Sequence, residues 1–341
     1  MNRKERVLAA LEGRPADRVP VSFWRHYDRA SGNGPGPAVG LENMELHESF
    51  FAETQLDFIK IMYDGIPLPF SDSICDLSDL RGIRPAGLGS EYARQIIERA
   101  QGVNERLRDE VYTYFNLFSP FSLLRRIGDE KLAEFILQDS EAVKDALSAI
   151  GEGLCRIEEE LLTACGCLGV FLCFQGAEHG RFSASMFEEI VRPSDLQVLT
   201  HANRWSDYTI AHFCAWDGKL NDLERWRDYP SCAVNWAIYV DGPSLPDGKR
   251  LFGDRPVLGG FDNRRGKLLY AGSEEEVRQE TVRLLSDYRE QTGSLSGLIL
   301  GADCSLLPDF DLRRFNWVRD AAQAYAEEIG TSWGQAEANL T

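Results

Sequence analysis

Eight apolar runs of strand length, separated by segments of helical pattern, constrain this 341-residue chain more than any other feature. They are VPVSFW (19–24), DFIKIMY (57–63), VYTYFNLF (111–118), GVFLCF (169–174), YTIAHFC (208–214), CAVNWAI (232–238), RPVLGGFD (255–262) and GLILGAD (297–303). They are apolar on both faces, the pattern of parallel strands covered by helices. Between them, Val143, Leu147, Ile150, Leu154, Ile157 and Leu161 recur at three and four residues, which predicts a helix over 140–164 with one apolar face. Ser185 with Glu188, and Ser273 with Glu276, have capping-box spacing and are expected to open helices. A last helix is expected from about Asp311 to Glu327.

Alternating strands and helices over this length allow an open doubly wound sheet or a closed barrel. The count of eight favours the barrel, and no G-x-G-x-x-G follows the first run. The expected architecture is a single-domain α/β fold, a (β/α)8 TIM barrel over residues 1–330. Residues 29–40 read as a Gly/Pro loop and 331–341 as a frayed tail.

Composition narrows the partners. With 37 Lys+Arg against 54 Asp+Glu the net charge is −17, which repels polyphosphate, so no nucleic-acid partner is expected. No apolar run approaches the ~18 residues of a membrane span. The opening MNRKERVLAALEG is charged and lacks the apolar core of a signal peptide, so a cytoplasmic setting is expected. There the eight cysteines (75, 155, 165, 167, 173, 214, 232, 304) stay reduced, as core residues, metal ligands or nucleophiles.

In such a barrel, chemistry sits at the C-terminal ends of the strands. That rule selects Arg25, His26, Asp28 and Arg29 after the first run, Asp64 after the second, and Gln175, Glu178 and His179 after the fourth. It also selects His212, Cys214 and Asp217, then Asn235 and Asp241, then Asp262 and Asn263, and finally Asp303 and Cys304. His212 and Cys214 are two apart on a strand and share a side. With Cys304 they would give three N/S ligands and leave the fourth zinc position open, as in a catalytic site. The competing reading is inert packing at a strand end. Cys165, Cys167 and Cys173 read as core and turn packing. Arg25 and Arg29, four apart, are either a carboxylate clamp or solvated loop charges. Asp64 is a buried carboxylate or a turn residue, and Glu178–His179 is an acid/base pair by residue type alone.

Several stretches resemble the uroporphyrinogen decarboxylase superfamily, and the likeness spans nearly the whole chain. RVLAALEGRPADRVPVSFWRHYDR resembles its opening, with Arg25 and Arg29 at the places of two family arginines. DFIKIMYDG resembles the segment ending in the catalytic Asp, which places that role on Asp64. GRFSASMFEEIVRP, LGGFDN and LILGADCSLLPD resemble later segments. The superfamily has a branch of tetrapyrrole decarboxylases and a branch of zinc-dependent methyltransferases that work with a corrinoid protein. His212-Phe213-Cys214 with Cys304 is similar to the H-x-C…C of the second. The Leu-Gly-His-Gly ending of decarboxylases is replaced here by Leu300-Gly301-Ala302-Asp303-Cys304.

The resemblance therefore implies Zn2+ on His212, Cys214 and Cys304. Catalytic roles are expected of Asp64, from the resemblance, and of His26 and Glu178, from their strand-end places; substrate contacts are expected of Arg25 and Arg29, from the resemblance, and of Gln175, His179 and Asn235, from theirs. A small molecule is the expected substrate, and a partner protein supplies the corrinoid. VNWAIYVDG lacks the carboxylate that methyltransferases often place near the metal, and Asn235 or Asp241 stands in for it. The alternatives are uroporphyrinogen decarboxylation and a non-catalytic barrel that binds a corrinoid or tetrapyrrole. Relatives include dimers, and a homodimer is left open.

Overall fold

The computed structural model describes residues 1–27, 41–71, 74–215 and 217–338, with the backbone alone for 331–338. Seven of the eight runs form strands: β1 Phe58–Ile61, β2 Tyr112–Phe118, β3 Gly169–Phe174, β4 Ile210–Phe213, β5 Ala233–Trp236, β6 Val257–Phe261 and β7 Leu298–Ala302. They pair in chain order in one parallel sheet. Every residue of β1 and of β3 to β7 is buried, because helices cover the outside and inward side chains fill the centre. The result is a single-domain α/β fold of TIM-barrel type with a curled seven-stranded sheet.

The first run departs from the expectation of eight strands. Residues 19–24 form no strand of their own but make isolated parallel bridges, Val21 to Leu300 and Arg25 to Leu306. Ser22 N–H donates to Leu300 O at 2.9 Å, and Leu300 N–H donates to Pro20 O at 2.9 Å. On the other side, Asp57 N–H donates to Val21 O at 3.0 Å. The reason is local: Pro20 has no N–H to continue a ladder.

Asp57 ties this segment to β1. Its carboxylate accepts from Val21 N–H at 2.7 Å, from Arg18 Nη1 at 2.7 Å and from Arg6 Nη1 at 2.8 Å. Arg6 comes from the first helix, Arg3–Leu11, so one buried carboxylate joins three pieces of chain.

Most expected helices are present. Ser140–Thr163 buries the predicted face, and Ser273 and Glu276 form a complete capping box on Glu274–Thr292. The other proposed cap is displaced. Ser183, not Ser185, accepts from Met186 N–H, and the chain then continues through a π turn, Phe187–Val191, into the helix Arg192–Ala202. The last helix runs Arg313–Ala338, past Glu327 and into the segment expected to be a frayed tail.

Candidate functional site

Strand register assembles the centre of the site. Cys173 on β3 is opposite His212 on β4, and His212 is opposite Asn235 on β5. Cross-strand neighbours in a parallel sheet share a face, so these three side chains form one layer. Cys214 lies one layer further along β4, and Cys304 follows β7.

The ring of His212 is oriented from behind. His212 Nδ1 lies 2.6 Å from Asn235 Oδ1. Asn235 Nδ2 donates to Leu258 O at 2.8 Å and Ala302 O at 3.2 Å. Two carbonyls can accept only from the amide nitrogen, so the Asn235 oxygen must face the imidazole. Nδ1 then carries the proton and Nε2 keeps its lone pair. That lone pair looks toward Cys304 Sγ at 3.6 Å, and Cys304 Sγ is 3.8 Å from Cys214 Sγ.

The ligand atoms of Cys173, His212 and Cys214 also lie within 4.8 Å of one another. The donor set is thus one imidazole and three thiols, which suits a borderline-soft divalent ion such as Zn2+. Cys304 is hydrogen-bonded to Cys214 and half-buried, and the hydrogen bond and desolvation together push its thiol up to about 12. A metal would have to displace its proton.

These groups form one wall of a cavity of about 690 Å3, within the size range of small-molecule sites. His26, Lys60, Asp64, Gln175, Arg125 and Arg126 line the rest. His26 Nδ1–H donates to Asp64 Oδ1 at 2.8 Å, and Tyr27 N–H donates to Asp64 Oδ2 at 2.7 Å. Burial opposes ionisation of both groups, but the hydrogen bond and charge of Asp64 win and raise the His26 pKa. The same contact holds the Asp64 carboxyl below its ordinary value against the burial that would raise it.

Sequence reasoning missed Cys173 and Lys60 in this cavity, as it did Arg125 and Arg126. By its sequence setting Cys173 is a packing residue, yet the register brings it opposite His212. Lys60 is buried on β1, its ammonium 4.0 Å from the Phe171 ring and 4.7 Å from the Trp24 ring. Burial lowers its pKa to about 8. The signal was present in DFIKIMY, where a lysine interrupts an otherwise apolar strand.

Other expected residues lie elsewhere. Both Glu178 oxygens are held by Arg125 and Arg181, and the side chain is buried behind the cavity rather than in it. His179 is exposed. Asn235 is fully buried beneath His212 and does not reach the cavity. Arg25 donates to Pro308 O at 2.6 Å and rests over Tyr27 and Phe50, outside the cavity lining. Arg29 falls outside the described residues. Asp241 accepts from Asn221 N–H at 2.9 Å, so of the two substitutes for the missing carboxylate it is Asn235 that meets His212.

The uroporphyrinogen decarboxylase (URO-D) family model matches residues 59–325, and the chain belongs to that family. Among solved structures, a methyltransferase from Methanosarcina mazei superposes with a TM-score of 0.71 at 16% identity, covering 95% of this chain and 99% of that one. At that identity the likeness is one of fold. An endogalactoceramidase matches with a TM-score of 0.48 at 11% identity, over 90% of this chain and 74% of its own. A GH5_18 protein from Bifidobacterium longum subsp. infantis matches with a TM-score of 0.48 at 10% identity, over 91% and 79%. No curated protein matches the sequence.

Proposed function

We propose that this chain is a methyltransferase. It would move a methyl group between a corrinoid carried by a partner protein and a small molecule such as a thiol, using zinc held by His212, Cys214 and Cys304. The observation that carries the reading is the lone pair of His212 Nε2, freed by Asn235 and aimed at Cys304 on the cavity wall. The cysteine at the end of β7, where a decarboxylase would present its histidine, supports the same choice. So does the fold shared with the Methanosarcina mazei methyltransferase. The sheet is read as a closed (β/α)8 barrel, residues 19–24 filling the gap between β7 and β1; their bonds to Leu300 and Asp57 support this.

Bound there, zinc would supply a Lewis acid that favours the thiolate form of a thiol at neutral pH. His212, Cys214 and Cys304 bind the ion, and Cys173 is within reach as a fourth donor. His26, held by Asp64, accepts the proton that an acceptor thiol gives up. Lys60 offers a desolvated positive charge to an anionic group of the substrate, and Gln175 a hydrogen-bonding edge. Neither Glu178 nor Arg25 has a part in this scheme.

The test couples metal content to activity. Purified protein should carry zinc and demethylate methylcobalamin with a thiol acceptor, followed by the visible spectrum of the corrinoid. Cys304→Ala should lose one equivalent of zinc and the activity together. Retention of both in Cys304→Ala, or a metal-free active enzyme, would sink the reading. Release of CO2 from uroporphyrinogen in the presence of chelator would replace it with decarboxylation.

A further inference from the structure

Between two helices that cover the outside of the sheet, a second group of ligand-type side chains is gathered. Cys155 and Glu158 lie three apart on the helix Ser140–Thr163, so they share a face. His201 is in the last turn of Arg192–Ala202, which packs against that helix. The ligand atoms of Cys155, Glu158 and His201 lie within 4.8 Å of one another.

Glu158 is the anomaly. Its side chain is wholly buried, and neither carboxylate oxygen makes a hydrogen bond. His201 Nδ1 is 3.4 Å from Glu158 Oε2, at ion-pair distance but without hydrogen-bond geometry, and makes no other hydrogen bond. A carboxylate in such a place costs several kcal/mol unless something compensates it. Burial pushes its pKa up to about 7, against the opposing pull of His201. The unsatisfied Glu158 carboxylate and His201 Nδ1, gathered with the Cys155 thiol that otherwise donates only to Gln197 O, are an arrangement a cation completes.

We propose that Cys155, Glu158 and His201 form a second divalent-metal site, a zinc staple between these two helices, distinct from the cavity centre. One thiolate and one carboxylate carry two negative charges, which one Zn2+ neutralises. Imidazole supplies a neutral third ligand. Zinc bonds of ~2.3 Å to sulfur and ~2.0 Å to nitrogen or oxygen put tetrahedral ligand atoms roughly 3.3–3.8 Å apart, so the three must close by about an ångström. Cys155 and His201 are partly exposed, which gives water access to the fourth position. His201 sits at a helix C-terminus, where the backbone dipole favours a cation. Arg204, the cation that bears on Cys155, is exposed and free to turn to solvent. Binding releases the Cys155 proton to solvent, and no electron changes hands.

The test separates the two sites. A Cys214→Ala/Cys304→Ala chain should still bind one equivalent of zinc and should melt at a higher temperature when zinc is added. Adding Cys155→Ala or His201→Gln should abolish both effects. In the otherwise wild-type chain, the same two substitutions should lower zinc content by one equivalent and leave methyl transfer unchanged. Should the variants fold poorly, anomalous scattering at the zinc edge from wild-type crystals replaces them, with a peak expected between Cys155 Sγ and His201 Nδ1. Absence of that peak, or zinc binding in the double variant that is indifferent to Cys155→Ala and His201→Gln, overturns the proposal.

Discussion

Asn235 shows how much a single neutral side chain decides here. It accepts one hydrogen bond, donates two, and thereby selects the tautomer of His212. Asn235→Leu should weaken zinc affinity at the cavity centre by ~10–100-fold, the usual effect of losing an outer-shell partner. A competition titration against a chromogenic chelator reads this directly. His26 and Asp64 make the other pairing whose strength can be measured. The His26 pKa is raised, so the stability it brings is complete below its unfolded value of ~6.5 and fades as pH rises through the folded one. Asp64 is depressed, so its share is complete above ~3.9 and fades as pH falls through its folded value. The pair therefore stabilises most between roughly pH 4 and 6.5. In Asp64→Asn, NMR titration should find the His26 pKa lower than in the wild type, because the charge that opposes burial is gone.

At the scale of elements, the site depends on strand register. A slip of one residue between β3 and β4 would turn Cys173 away from His212, since neighbours along a strand face opposite sides. The contact between β7 and the segment at 19–24 is equally close. A Cβ added at Gly301 would meet Ser22 O, a backbone atom that cannot swing aside, at 2.7 Å. Gly301→Ala should therefore destabilise the fold by about 1–3 kcal/mol, the cost of overpacking, and loosen the cavity's Cys304 side. Urea unfolding and zinc retention measure the two effects. An unchanged midpoint would show that the segment is not held against β7.

For the molecule as a whole, Asp57 is the critical junction. Arg6 and Arg18 are both buried and both spend a hydrogen bond on it. Asp57→Asn keeps the shape but takes the carboxylate partner from Arg18, while Arg6 keeps Asp17, so it should cost about 3–5 kcal/mol, as removing one member of a buried ion pair does. Because Asp57 also holds Val21 N–H, the loss should free residues 19–24 from β1 first. Hydrogen exchange at Val21 and Ser22 is the measurement, and continued protection there would contradict the assignment.

Seven strand positions, the long helix at 140–163 and the cap at Ser273 were legible in the sequence. Each follows from periodicity or from side chains a few residues apart, which are local properties. That His212, Cys214 and Cys304 could converge was read from residue type and strand end, helped by the resemblance, and their side chains do lie close together. Other outcomes were not local. Glu178 looked like an acid/base residue until Arg125, more than fifty positions away, closed on it. Cys173 and Asn235 gained their places from register across β3, β4 and β5. Lys60 faces the thiols because β1 presents that side of the strand to the cavity. The sequence by itself determined which segments become strands and helices and which side chains can carry chemistry. The tertiary structure decided which of those side chains meet, because pairing across a sheet joins residues whose separation along the chain carries no signal of contact.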